Sequence, residues 1–174
     1  MASNDSAGFC IPYTVRDSRG KGRGVFAGAP IRKGTILWRH VRGQYAVYDE
    51  HSLRELLAGL SRSEVVYELE HMFGLPEFPG YIIRIIDDGV LINHSRQANV
   101  AMNKGSGDNE IPFNTSVQTV QDVEHALLND RFALIAAKDL EADDELTMDY
   151  NIGIEDPSYY DDLCNQYEVS ELWL

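Results

Sequence analysis

The chain has 174 residues, long enough to bury a core without disulfides or metal, and 44% of them are apolar, an ordinary globular share. A formal net charge of −13 argues against a surface for nucleic acid phosphates and favours basic peptides as partners. No apolar run approaches the roughly 18 residues of a membrane span, residues 1–8 lack the pattern of a secretory signal, and Cys10 and Cys164 make neither a disulfide framework nor a metal motif. The chain therefore reads as one soluble, intracellular domain with no metal, no membrane segment and no direct nucleic acid contact.

Residues 1–10 read as a flexible tail. Ile11–Asp17 and Gly24–Ala27 read as strands around a glycine-rich turn, and Gly34–Val41, rich in β-formers, as another strand. A helical insert is predicted at about 50–76. Ser52 with Glu55 and Ser61 with Glu64 both fit a capping box, in which Ser accepts from the N3 amide and Glu reaches back. Val65, Val66, Leu69, Met72 and Phe73 then recur at helical spacing, and Gly74 with Pro76 supplies a stop. Strand character returns at Tyr81–Ile86; Asp87-Asp88-Gly89 signals a turn, and Val90–Asn93 a further strand. Residues 104–114 read as a surface loop, and 115–129 as either strand or short helix. Arg131–Ala137 reads as a buried strand and Glu145–Tyr150 as the last one. The acidic, aromatic tail at 155–174 reads as helical and packed down. Short strands with a helical insert make a β-rich α+β fold.

Three segments carry candidate chemistry. Arg19-Gly20-Lys21-Gly22-Arg23-Gly24-Val25-Phe26 alternates glycine with cations. Glycine permits positive φ and close approach of a ligand to the backbone. The loop runs into strand rather than helix, which argues against a nucleotide phosphate cradle. Leu91-Ile92-Asn93-His94-Ser95-Arg96-Gln97-Ala98-Asn99 offers amide and imidazole groups that both donate and accept hydrogen bonds. Asp144-Glu145-Leu146-Thr147-Met148-Asp149-Tyr150 ends on a tyrosine. Taken singly, these would be a tight hairpin, a turn with a buried histidine, and a core tyrosine. Ser95 lacks the flanking glycines of a hydrolase nucleophile elbow.

In this order the three segments resemble the signature of SET-domain protein lysine methyltransferases: Gly-x-Gly, then Asn-His-Ser-Cys-x-Pro-Asn, then Glu-Glu-Leu-Thr-x-x-Tyr. The resemblance covers residues 11–151, with 152–174 left as a C-terminal segment packed on the active site. It implies curled small sheets with the helical insert, a pseudoknot near the active site, and S-adenosylmethionine as cofactor. By resemblance, Gly22, Arg23 and Gly24 line the cofactor with Phe26 close by. Asn93 meets its amino-acid end, and His94 lies near the adenine through its backbone. Tyr150 is the catalytic tyrosine, and Tyr45 supplies the ring of a Tyr-x-Gly element. The implied substrate is a lysine-bearing protein or peptide such as a histone tail.

Several positions depart from the pattern. Arg96 and Ala98 replace the usual Cys and Pro, although Asn99 is kept. Asp143 stands where Gly is common, and Asp tolerates the left-handed conformation that such a turn needs. Met148 replaces an aromatic residue whose hydroxyl tends to limit methylation, which implies products beyond monomethyl-lysine. The Cys-rich zinc segment of many relatives is missing, so Tyr159, Tyr160 and Trp173 become candidates to wall the lysine channel. A non-catalytic SET-like module that binds peptides or partner proteins is the alternative reading.

Overall fold

A computed structural model describes residues 8–103 and 117–169. Ten short strands and four helices occur among the described residues. The mixed α+β, β-rich class expected from the sequence holds.

Strands β1 (Tyr13–Ser18) and β2 (Gly22–Ala27) form an antiparallel hairpin. Its tip needs positive φ at Gly20 and Gly22, which bear +79° and +73° at no steric cost. Strand β3 (Ile36–Trp38) follows, then β4 (Tyr45–Tyr48), α1 (Glu50–Ala58) and α2 (Arg62–Leu69). The capping box at Ser61 forms as predicted, with the Glu64 carboxylate accepting from Ser61 N at 2.8 Å. The first box lies three residues earlier than predicted. Asp49 is the N-cap and Ser52 occupies N3, because the Asp49 carboxylate accepts from Ser52 N at 2.8 Å.

The helical insert also stops sooner than expected. Helix α2 ends at Leu69, and Met72–Gly74 is strand β5. Gly74 is not a helix cap. A Cβ there would stand 2.3 Å from the Glu155 carbonyl, so glycine is needed for the chain at 154–156 to pass against β5. Strand β6 (Ile82–Ile85) pairs with both β4 and β5 to complete a three-stranded sheet. The Asp87-Asp88-Gly89 turn continues as a 3-10 turn through Leu91, where a strand was expected, and only Asn93–His94 (β7) is extended.

Strand β8 (Val100–Met102) is followed among the described residues by α3 (Val120–Leu127), so the described part of the ambiguous 115–129 segment contains a helix capped by Thr119. The predicted loop at 104–114 lies outside the described residues. Strand β9 is confined to Leu134–Ala136 after a 3-10 turn at Asp130–Phe132, and β10 to Thr147–Met148. Helix α4 (Ser158–Tyr167) packs Tyr160 and Leu163 against Leu53, Leu57, Val65 and Leu69 of α1 and α2. The expected tail does not reach residue 10. Gly8 is buried, its N–H donates to Asp87 at 2.6 Å, and Phe9 bridges Trp38. Residues 1–7 lie outside the description.

The five-stranded sheet runs β3-β9-β8-β10-β7, with β10 parallel to both neighbours. Since β7 and β8 flank β10, residues 95–99 must cross β10 to join them. Backbone bonds from Ser95 N to Met148 O and from Asn99 N to Thr147 O, both 3.0 Å, fix that crossing. This is the interleaving that a pseudoknot requires, an uncommon topology. Asn99, 7% exposed, staples it: its Oδ1 accepts from Thr147 N at 2.9 Å and its Nδ2 donates to Glu145 O at 2.8 Å.

Candidate active site

A cavity of about 730 Å³ opens between the two larger sheets. Trp38, Leu134 and Met102 are register partners across β3, β9 and β8, and all three line it. Met148 of β10 and Asn93 and His94 of β7 continue the wall, while Met72, Phe73 and Ile85 face it from the three-stranded sheet. One part of the cavity is therefore apolar and aromatic. The part beside β7 and β10 is polar, lined by Gly20, Lys21, Asn93, His94, Tyr150 and Asn151.

Tyr150 lines the same cavity. Its hydroxyl donates to the Ile92 carbonyl, and its N–H donates to His94 Nδ1 at 3.2 Å. The two rings lie 5.5 Å apart, and Asp149 Oδ1 is 3.9 Å from His94 Nδ1. Burial pushes the Tyr150 phenol up to about 12, so it stays protonated at neutral pH.

The glycine hairpin reaches the site in two ways. Gly20 and Lys21 line the cavity, and Lys21 Nζ donates to the His94 carbonyl at 2.8 Å. Arg23 and Gly24 stand behind Asn93. Asn93 Nδ2 donates to Arg23 O at 3.1 Å and to Glu145 Oε1 at 2.8 Å. Both partners are pure acceptors, so the amide orientation is fixed and Oδ1 is left as the acceptor. A Cβ on Gly24 would lie 2.6 Å from Glu145 Oε1 and 2.8 Å from Asn93 Nδ2, which is why glycine stands there.

Not every predicted residue arrives. Gly22 and Arg23 do not themselves line the cavity, and neither does Phe26. The Phe26 ring lies under the Arg16 guanidinium at 4.0 Å, and its backbone bridges Glu145. Tyr45 is built into the core instead. It is 7% exposed, and its hydroxyl donates to the Glu124 carbonyl of α3 at 2.7 Å. The side chain lining the cavity from that part of the chain is His40, whose ring stands edge-on to Trp38 at 4.6 Å and to Tyr45 at 5.1 Å. Neither His40 nitrogen makes a hydrogen bond of full geometry, and the Phe132 backbone is the polar group that approaches the ring. Desolvation pulls its pKa down to about 4, against a weaker opposing effect of the Phe132 backbone, so it is neutral at pH 7.

Tyr159 and Tyr160 do not wall the cavity. The first donates to Gly80 O at 3.2 Å and the second is buried against α2, while Trp173 lies outside the described residues. The C-terminal segment reaches the cavity through Asn151, Ile154 and Asp156. Sequence reasoning thus missed His40, the carboxylate of Glu145 and Asp156. Glu145 lay inside a quoted motif; nothing in the sequence distinguished the other two. Asp143 adopts φ +70°, the left-handed turn expected where Gly is usual.

Comparisons with known proteins bear on the family and the fold. No curated protein matches the sequence. Among solved structures, the chain is similar to the Neurospora SET domain protein DIM-5, a histone lysine methyltransferase. The two are 20% identical with a TM-score of 0.53, over 82% of this chain and 53% of DIM-5. A Plasmodium falciparum protein crystallised as a candidate histone methyltransferase gives 15% identity and 0.45 over 80% and 93%. KRYPTONITE, in complex with mCHH DNA, H3(1–15) peptide and SAH, gives 20% and 0.48 over 82% and 24%. The chain thus spans about half of DIM-5 and about a quarter of KRYPTONITE. The family model described as the SET domain matches residues 22–151, three-quarters of the chain, and so the chain belongs to the SET domain family.

Proposed function

We propose that this chain is an S-adenosylmethionine-dependent protein lysine N-methyltransferase whose substrate is a basic histone tail or another lysine-bearing protein. One observation carries the reading. Tyr150, His94, Asn93 and the glycine hairpin, distant in sequence, meet around a single cavity that has an apolar part beside a polar one. Family membership supports it, and DIM-5 uses the same fold as a histone lysine methyltransferase.

The residues present fit the cofactor. Asn93 Oδ1 is an acceptor suited to an ammonium, Lys21 brings a cation suited to a carboxylate, and Gly24 leaves room that a Cβ would fill. When bound, S-adenosylmethionine supplies a methyl group on a sulfonium. The protein's task is to present an uncharged amine. Lysine has a reference pKa of about 10.4 and loses nucleophilicity when protonated, so a poorly solvated arm lined by Trp38, Phe73, Phe132 and Leu134 favours the reactive form. The protonated Tyr150 phenol donates to Ile92 and keeps its lone pairs to orient that amine. Positioning at roughly 3–3.5 Å, rather than covalent chemistry, then supplies the rate. The net charge of −13 favours a basic substrate segment. An intracellular location goes with this reading.

The test is incubation with a radiolabelled methyl donor, a histone panel and cell extract, beside Tyr150→Phe. Label transfer by the wild type and its loss in the variant is the expected result. No transfer, together with no binding of S-adenosylhomocysteine by calorimetry, would favour the non-catalytic module. Met148 lines the cavity without a hydroxyl, so mass spectra of the product should include di- or trimethyl-lysine.

A further inference from the structure

The indole of Trp38 sits in a slot. A Cβ on Gly8 would lie 2.4 Å from Trp38 Nε1 and one on Gly89 2.7 Å from it, so two glycines far apart in sequence clear the same atom. The Asp87 carboxylate closes the end of the slot. Trp38 Nε1 donates to both of its oxygens at 3.0 Å, Gly89 N to Oδ1 at 2.9 Å and Gly8 N to Oδ2 at 2.6 Å. Backbone bonds from Arg39 N to Gly8 O at 2.9 Å and from Cys10 N to Leu37 O at 2.8 Å lay residues 8–10 as a strap along β3. The strap is tied a second time, since Phe9 stacks on Tyr13 at 4.1 Å and the Tyr13 hydroxyl donates to Asp88 at 3.0 Å. A buried indole N–H needs a partner, and here one carboxylate serves the indole, the strap and the turn together. The ring cannot rotate out of this arrangement without giving up its bonds to Asp87. Trp38 is 3% exposed, and it forms cavity wall beside His40 and Leu134. Gly8 and Asp87 do not line the cavity themselves, so they reach it through the indole.

We propose that Gly8, Asp87 and Gly89 are positioning residues that act through Trp38, and that their slot sets the width of the apolar arm that admits the substrate side chain. This rests on the methyltransferase reading. It extends the working site to an N-terminal strap that lies outside the residues matched by the SET domain model, 22–151. Freeing the indole changes the shape of the arm, and a displacement of about 1 Å in such a site costs as much as 100-fold in rate.

Trp38 and Trp173 are the only tryptophans in the chain, so in a Trp173→Phe background the emission reports Trp38 alone. The variants are Asp87→Asn, which keeps one acceptor oxygen, Gly8→Ala, whose methyl enters the slot, and Trp38→Phe, which keeps a ring without an N–H. Three readouts apply: Trp38 emission with acrylamide quenching, kcat/KM with radiolabelled donor and mixed histones, and S-adenosylhomocysteine binding by calorimetry. In Asp87→Asn and in Gly8→Ala, the emission should shift to the red and quench faster. In both, kcat/KM should fall by about 10–100-fold, while S-adenosylhomocysteine affinity should hold within about threefold. Asp87→Asn added to Trp38→Phe should lower kcat/KM by no more than about twofold, since no indole N–H is left to hold; a merely structural Asp87 would lower it equally in both backgrounds. Unchanged emission and quenching in both variants, or losses that add fully to Trp38→Phe, would overturn the proposal. If the wild type binds no S-adenosylhomocysteine and transfers no label, the methyltransferase reading itself falls. Emission and quenching decide whether the slot holds Trp38 with or without label transfer.

Discussion

His40 makes the stability of this protein depend on pH between about 4 and 6.5. Burial against Trp38 and Tyr45 lowers its pKa from 6.5 to about 4. Above pH 6.5 the ring is neutral folded and unfolded, and stability is full. As pH falls below 6.5 the unfolded chain takes up a proton that the native state refuses, so stability declines until about pH 4, where the native ring is protonated too. The gap between 6.5 and about 4, at about 1.4 kcal/mol per pH unit, is worth about 3 kcal/mol. That is a large fraction of the 5–15 kcal/mol roughly typical of a whole domain. His40→Phe keeps the edge-on ring packing, removes both buried nitrogens and has no proton to bind. Urea unfolding at pH 7.5, 6.5, 5.5 and 4.5 should show the wild type losing stability relative to His40→Phe by about 2–3 kcal/mol across the series. At pH 7.5 the variant should equal or exceed the wild type, because two buried polar atoms have been replaced by apolar ones. Parallel pH profiles for the two proteins would refute the reasoning.

Asn99→Ala orphans the buried Thr147 N–H and Glu145 carbonyl; at about 1–3 kcal/mol per orphan it should cost about 2–4 kcal/mol in chemical denaturation and speed amide exchange in β10 first. Gly24→Ala pushes a methyl onto Glu145 Oε1 and Asn93 Nδ2, so S-adenosylhomocysteine affinity measured by calorimetry should fall about tenfold, equivalent to about 1.4 kcal/mol. Tyr45→Phe removes one bond to the Glu124 carbonyl; urea unfolding should show a loss of about 1 kcal/mol, while methyl transfer stays within about twofold.

What could be read in advance was whatever depends on neighbours in sequence. The hairpin at Gly20 and Gly22, the box at Ser61 and the left-handed turn at Asp143 are local devices with local chemical signatures. The meeting of Asn93, His94 and Tyr150 was legible because three motifs occurred in a known order. Most of the differences share one cause: contacts between residues far apart in the chain. Met72 and Phe73 fit a helix by spacing, yet β6 recruits them into a sheet. Gly74 carries a helix-stop signal, yet it serves the passage of Glu155. Tyr45 and His40 are both ring-bearing, close in sequence and buried, yet the Glu124 carbonyl of α3 takes the Tyr45 hydroxyl while His40 lines the cavity. The box at Ser52 is a local exception: the Asp49 carboxylate, three residues earlier, accepts from Ser52 N and takes the N-cap place.

The crossing of residues 95–99 over β10 also bears on how the protein is made. A ribosome delivers His94 and Asn99 well before Thr147 and Met148, the strand that must lie between their flanks. Until that late stretch emerges, the nascent chain exposes Val100 and Ile92 without their eventual cover. Closing such a distant pairing is slow and leaves apolar strands open to other chains meanwhile. Yield in a cell should therefore depend on chaperone supply and translation tempo more steeply than the protein's size alone would imply.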